Sequence, residues 1–398
     1  MSVQLRAEMA DGMPSAERAK DFAPLQVTIH RDFASIDADW RNFEQRAIAT
    51  PYQHFDWSQA YSETLGHAHG ETPLIAVVKN ASGSPVMLLP LAIRRRGGLT
   101  VATFIGGRQA NFHMPLFDPM ATAGRDAATW RSILQDIARA AGIDVFSFVN
   151  QPLAWQGTAN PLVTLGGWPS PSPGFKRQLN FPADQTFAVL LGPESRKKMR
   201  KKERRLKDIS PVAYRRVEDP VEIERVLQTF LEQKGARFRQ KHITNPFEDP
   251  AAIEFLRRGS RIGADGKTAI ELYALFMGDA ILATFGGTCD GERFCGMFNS
   301  FSMEAEVAKS SPGDLLLLNL IETQCRRGVA TFDLGVGAAA YKLAVCGETE
   351  PLVDIYLPIS TRGRIYAGLD HLGRAAKGWA KSTPWVVAAV ERLRRLRR

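Results

Sequence analysis

The sequence is poor in cysteine. Its 398 residues hold four, Cys289, Cys295, Cys325 and Cys346. None forms a Cys-x-x-Cys pair or a His-Cys spacing of the kind a structural zinc needs, so no metal centre is expected. Cys289 and Cys295 flank a predicted turn, which would set them facing one another. So sparse a set suits a reducing compartment better than a disulfide scaffold. Long apolar runs are missing as well. No stretch of about 18 apolar residues is present to span a bilayer. Residues 1–20 lack the apolar segment of a secretory leader, and a cytoplasmic setting is expected. A disordered composition is also absent, because 44% of residues are hydrophobic and 23% charged.

What is present is length and positive charge. A chain of 398 residues suggests two domains. The formal net charge is +9, from 51 Lys and Arg against 42 Asp and Glu. Much of the excess lies in Arg196–Lys207 and Arg392–Arg398. Clustering of this kind points to local anion binding, to a membrane surface or to nucleic acid, while a solvated helix face explains it equally well. No aromatic residue interleaves the first cluster, which argues against stacking on bases. Met199, Leu206 and Ile209 make the narrow apolar seam expected to dock it.

Apolar periodicity predicts an α/β protein with the same order of elements twice. In the first half, strands at Thr72–Lys79, Val86–Arg96 and Leu99–Ile105 precede a helix ending at Ala141 and a strand at Asp144–Asn150. In the second, strands at Ile270–Met277, Ile281–Thr288 and Arg293–Phe301 precede a helix at Gly313–Arg327 and a strand at Val329–Leu334. Ala141-Gly142-Ile143-Asp144 parallels Arg327-Gly328-Val329-Ala330, each with glycine where a helix stops. Each half is therefore expected to be a mixed, twisted sheet flanked by helices, its parallel pair joined by a crossover helix. The expected divisions are a loose tail over 1–22, a first domain over 23–192, a second over 193–360, and basic amphipathic helices over 361–398.

Three motifs carry candidate chemistry. Ser310-Ser311-Pro312-Gly313-Asp314 opens a leucine-rich helix. A hydroxyl cap and proline suit a helix start, and a helix start offers free N–H groups to a pyrophosphate; plain capping is the simpler account. Phe332-Asp333-Leu334-Gly335-Val336-Gly337 ends a strand, the place where open α/β sheets bind ligands. Asp333 is either a base there or a turn cap. Tyr341-Lys342 begins a short helix, and a tyrosine can protonate a leaving thiolate. His113, after the glycine-rich end of a strand, is a second candidate base at the expected interdomain cleft. Asn111, Lys234, Arg237 and Lys342 are candidate acceptor contacts.

In this order the motifs resemble the CelD/BcsL-type acetyltransferases, a branch of the GNAT superfamily linked to bacterial exopolysaccharide synthesis. The resemblance runs from Glu71 to Pro358 and includes Leu89-Pro90-Leu91, Phe104-Ile105-Gly106-Gly107 and Leu116-Phe117-Asp118-Pro119. It implies tandem GNAT-like domains. It also implies acetyl-CoA as co-substrate with no tightly bound cofactor, its pyrophosphate at Ser310, Ser311, Gly313 and Asp314, with Gly335 and Gly337 nearby. Tyr341 would be the general acid. The usual Gln/Arg-x-x-Gly-x-Gly/Ala loop is absent, and Val345 and Cys346 stand where the family often has tryptophan. The activity implied is transfer of an acetyl group to an amine or hydroxyl of a sugar, in a cell-surface polysaccharide or its precursor. The alternatives are a FemABX-like enzyme using aminoacyl-tRNA, although no sustained heptads mark a coiled-coil arm, or a non-catalytic protein that binds anionic ligands.

The C-terminus adds one more expectation. Ser382-Thr383-Pro384 is a helix-start signature. Trp385, Val386, Ala389, Val390, Leu393 and Leu396 then share one face among arginines. Such a helix suits peripheral contact with the inner face of the cell membrane, or simple packing with a solvated tail.

Overall fold

The computed structural model describes residues 24–242, 244–263, 266–337 and 339–382. The expected 1–22 tail and the Trp385–Leu396 helix face lie outside these.

Two mixed sheets dominate. The first has the order Gln26–His30, Thr72–Lys79, Pro85–Arg96, Leu99–Phe104, Val145–Pro152, Leu352–Pro358 and Trp168–Pro169. The second runs Val212–Val217, Glu271–Met277, Ala280–Cys289, Arg293–Phe301, Thr331–Val336, Gly174–Gln178 and Glu348–Glu350. In each, one parallel pair interrupts antiparallel neighbours: Leu99–Phe104 with Val145–Pro152, and Arg293–Phe301 with Thr331–Val336. A crossover helix joins each pair, Ala127–Ala141 in the first half and Pro312–Arg326 in the second. The predicted repeat is present.

Both parallel pairings are brief. In the second sheet only Arg293↔Thr331, Phe294↔Phe332 and Cys295↔Asp333 are in register. Beyond them the strands part, leaving a split that opens toward the start of the crossover helix. A split exposes unpaired backbone groups, which must find other partners or ligands.

The expected boundary near residue 193 needs correction. Strand Gly174–Gln178 precedes it yet pairs with Thr331–Val336 in the second sheet. Strand Leu352–Pro358 follows the second half yet pairs with Val145–Pro152 in the first. Each half thus lends a strand to the other, covering the edge beside each parallel pair. The apolar interior is shared too. Phe255 of the second half packs edge-on against Trp57 and Tyr61 of the first, with ring centroids 5.2 and 5.7 Å apart.

The cysteines do not face each other. Cys289 lies opposite Phe294 while Cys295 lies opposite Thr288, so successive positions send them to opposite faces of the hairpin.

Candidate active site

The site is best built outward from the split. Strand Arg293–Phe301 is buried on both faces as far as Cys295. After Gly296 it alternates, with Phe298 and Ser300 buried and Met297, Asn299 and Phe301 half-exposed. The half-exposed row faces three helices. From the long helix Pro220–Lys241, Lys234 Nζ donates to the Asn299 carbonyl at 2.8 Å, and the Arg237 guanidinium lies 4.7 Å from the Phe301 ring centroid. From the short helix Ala340–Cys346 comes Tyr341, still 43% exposed. Burial raises the Tyr341 pKa, while the neighbouring Asn299 side chain and Arg237 act in the opposite sense. The hydroxyl is therefore a protonated donor at neutral pH. Burial, with Arg237 and Lys241 adding repulsion, brings Lys234 down to about 8.

The third helix is Pro312–Arg326. Ser311 occupies its N-cap with φ 51°, and its side chain makes no capping bond. The sequence suggested hydroxyl capping; instead Ser311 Oγ accepts from Lys202 Nζ at 2.7 Å. Lys202 belongs to the basic helix Pro193–Lys207, which lies across this point. Its seam also differs from the expected one. Leu206 is buried and Met199 half-buried, but Ile209 lies past the helix end and is exposed. Ser310 Oγ is fully buried with no partner among the described residues. A Cβ on Gly313 would meet Phe301 Cδ1 at 2.9 Å. Glycine is thus needed here for the Phe301 ring, a reason distinct from close approach of a ligand. Asp314 is exposed in the first turn.

Deeper in the split the predicted residues have other work. Asp333 is fully buried; one oxygen accepts from Arg293, and the other from the Gly335 N–H. Arg293 also pairs with Glu350 and lies over the rings of Trp155 and Phe112, at 4.2 and 4.8 Å. Burial disfavours the Arg293 charge, but the carboxylates more than offset it and raise its pKa. With both oxygens engaged, Asp333 is geometrically an ion-pair member rather than a free base. Asn111 crosses from the first half. Its Nδ2 donates to the Gly296 carbonyl and the Tyr52 hydroxyl, at 3.2 and 2.6 Å, and its Oδ1 accepts from the Val336 N–H at 3.1 Å. Gly335, at φ 76°, leaves room for that carboxamide, since a Cβ there would sit 2.4 Å from Asn111 Oδ1. Lys342 Nζ donates to the Val336 carbonyl at 3.1 Å. Gly337 donates to the Pro173 carbonyl at 3.4 Å.

His113 stands apart from this group. It is 3% exposed beside Phe104, with no side-chain partner for its ring among the described residues. Burial brings it down to about 4, so it is a neutral interior ring and not a residue of an open cleft. The structure therefore brings together Tyr341, Lys234, Arg237, Ser310, Ser311, Gly313 and Asp314. It adds Asn299, Phe301 and Lys202. A polar residue two positions from Phe301, on a strand whose alternation begins at Gly296, was the available signal for Asn299. A separate cleft of about 760 Å³, lined in part by Lys176, Arg293, Thr331 and Glu350, opens at the closely paired end of the strands. Among the described residues no group of three His, Cys, Asp or Glu side chains is placed to hold a metal, and no helix is long and apolar enough to cross a membrane.

A brief parallel pair that splits beside a crossover-helix start is the arrangement on which the family comparison bears. Residues 193–343 match the Acetyltransferase (GNAT) domain family. The second half is thus a GNAT-type acyltransferase fold, a class that uses acetyl-CoA as co-substrate, and the first half repeats its plan. No curated protein matches the chain. Among solved structures, FemX is similar at TM-score 0.59 and 9% identity, covering 85% of this chain and 98% of its own. A conserved protein of unknown function from Bacteroides thetaiotaomicron reaches 0.51 at 12% identity, covering 83% and 98%. The C-terminal domain of a candidate lysylphosphatidylglycerol synthetase from Agrobacterium fabrum reaches 0.50 at 13% identity, covering 86% and 96%. At such identities the likeness is one of fold.

Proposed function

We propose that this protein moves an acetyl group from acetyl-CoA to an amine or hydroxyl of a sugar, in a cell-surface polysaccharide or its lipid-linked precursor at the inner face of the membrane. The observation that carries the reading is the meeting of Tyr341, Asn299 and Lys234 at the open split, next to the helix start where Lys202 reaches Ser311. A helix start with an added ammonium and a buried, unpartnered Ser310 hydroxyl suits a pyrophosphate. It also replaces the charge-binding part of the absent Gln/Arg-x-x-Gly-x-Gly/Ala loop.

Direct transfer has three needs: a neutral nucleophile, a polarised thioester carbonyl and a proton for the leaving thiolate. Tyr341 supplies the proton, since burial keeps its hydroxyl protonated until the thiolate forms. Lys234, at about 8, has a neutral fraction of roughly a tenth at pH 7 and accepts the acceptor's proton. Arg237 beside Phe301 holds acceptor oxygens. Acetyl-CoA turnover against amino sugars and lipid-linked glycans tests this, with activity on at least one class expected and none on free amino acids.

A second reading has its own support. The fold likeness to FemX and the exposed cations of Pro193–Lys207 suit a FemABX-like enzyme using aminoacyl-tRNA. Thermal shift separates the two, because only a bound donor raises the melting temperature.

A further inference from the structure

The C-terminal helix Thr361–Ser382 lays one face along the first sheet. Arg374 Nε donates to Asp354 at 2.6 Å, the Tyr356 hydroxyl donates to Asp370 at 2.6 Å, and Arg362 reaches the Gly98 carbonyl at 3.2 Å. Gly363 rides so close to Asp144 that no Cβ would fit. The other face is apolar. Ile365, Leu369, Leu372 and Trp379 are 62, 67, 64 and 57% exposed. Their spacing of four, three and seven residues puts them in one stripe. Gly368, Gly373, Ala375 and Ala376 extend the exposed surface around them, and exposed Arg362 and Arg364 flank the stripe near the helix start. A helix face turned to water ordinarily carries its charges there.

We infer that this stripe is a docking face for an anionic lipid surface. Charge selects the occupant. Residues 361–398 contain ten Lys and Arg against two acids, Asp370 and Glu391, a local excess of +8. Exposed Arg95 extends the basic rim on the adjoining hairpin, which Arg362 contacts through Gly98. Within Thr361–Ser382 alone five Lys and Arg stand against Asp370, so two copies meeting through this stripe would set like charge against like. An anionic bilayer accepts both features at once, the side chains of the stripe entering the headgroup boundary and the flanking cations meeting the lipid phosphates. This deepens the membrane-side setting proposed above. Vesicle binding is read without turnover, so failure of either idea leaves the other standing.

The test is sedimentation of the full chain with phosphatidylglycerol or phosphatidylcholine vesicles, beside a Leu369→Gln/Leu372→Gln variant. The parent should bind phosphatidylglycerol vesicles at low salt at least about tenfold better than phosphatidylcholine vesicles, and lose this near 0.5 M salt. The variant should lose about tenfold in binding with its melting temperature unchanged, since both side chains are exposed. Equal sedimentation of parent and variant, or none of the parent, would overturn the inference. So would a parent dimer by analytical ultracentrifugation that the variant makes monomeric, which would assign the stripe to a second copy.

Discussion

Gly313→Ala probes how the start of helix Pro312–Arg326 is built. The new methyl would lie 2.9 Å from Phe301 Cδ1, so the ring has to move by several tenths of an ångström. Overpacking of this kind costs about 1–3 kcal/mol. Alanine in place of glycine in a helix recovers roughly 0.8–1 kcal/mol. The expected net loss is therefore about 1 kcal/mol, or about 2–4 °C in melting temperature for a unit of 150–250 residues. Phe301→Ala is destabilising by itself, because a half-buried ring is lost. In the double variant the methyl meets no ring, so the Gly313→Ala loss should vanish or reverse. Thermal melts of the four proteins give the coupling directly, with an expected value of about 1–2 kcal/mol. Additivity within about 0.5 kcal/mol would refute the steric account. Titration with acetyl-CoA adds a second reading. The Cβ points at Phe301 and not along the open N–H, so affinity should recover with stability in the double variant.

Tyr341→Phe should lower turnover about 10–1000-fold with donor affinity unchanged, as loss of a general acid does; full activity would leave Tyr341 a packing residue. Lys234 supplies a pH test. If its neutral amine is the base, kcat/KM rises with pH and levels off above about 8, and Lys234→Gln removes that limb. Stability should also rise as pH climbs from 8 toward 10.5, where the unfolded chain binds the proton that the folded chain has shed. A flat profile in the parent would reject the assignment. Lys202→Gln should weaken acetyl-CoA binding about tenfold and flatten its salt dependence, measured by calorimetry at two ionic strengths. Arg293→Met leaves the fully buried Asp333 without its cation, while Glu350 keeps Lys176, and should cost about 3–5 kcal/mol by denaturant unfolding.

The repeated plan was legible because period and order survive in sequence: alternating strands, a crossover helix, then a strand, twice. The exchange of strands Gly174–Gln178 and Leu352–Pro358 was not, because an edge strand carries no mark of which sheet it joins. Ser311, Gly313, Tyr341, Lys234 and Arg237 were legible as residue types in telling places. Their meeting point was hidden, since it depends on Asn299 and Phe301, which enter the site only after the strands part. Asp333 and His113 look like bases in sequence for the same reason that they are ordinary in the structure. A carboxylate at a strand end attracts an arginine as readily as a substrate, and Arg293 lies 40 residues away in the chain. An imidazole after a glycine turn packs inward among apolar rings.

Asn111 explains why the first half is needed by the site of the second. Where the parallel strands part, the Gly296 carbonyl and the Val336 N–H bond a side chain in place of the neighbouring strand. In an isolated sheet these two groups would lie open to water or to the amides of a ligand, and unpaired groups at such depth are costly. Asn111 satisfies both with one carboxamide, and Tyr52 fixes that carboxamide in turn. The inner end of the split is thereby closed by protein. What remains open is its outer part, from Asn299 to Phe301, where Lys234, Arg237 and Tyr341 converge. If a donor enters the second half as proposed, the first half limits how deep it can go, and its reacting end would lie beside Tyr341 rather than against the buried Arg293–Asp333 pair.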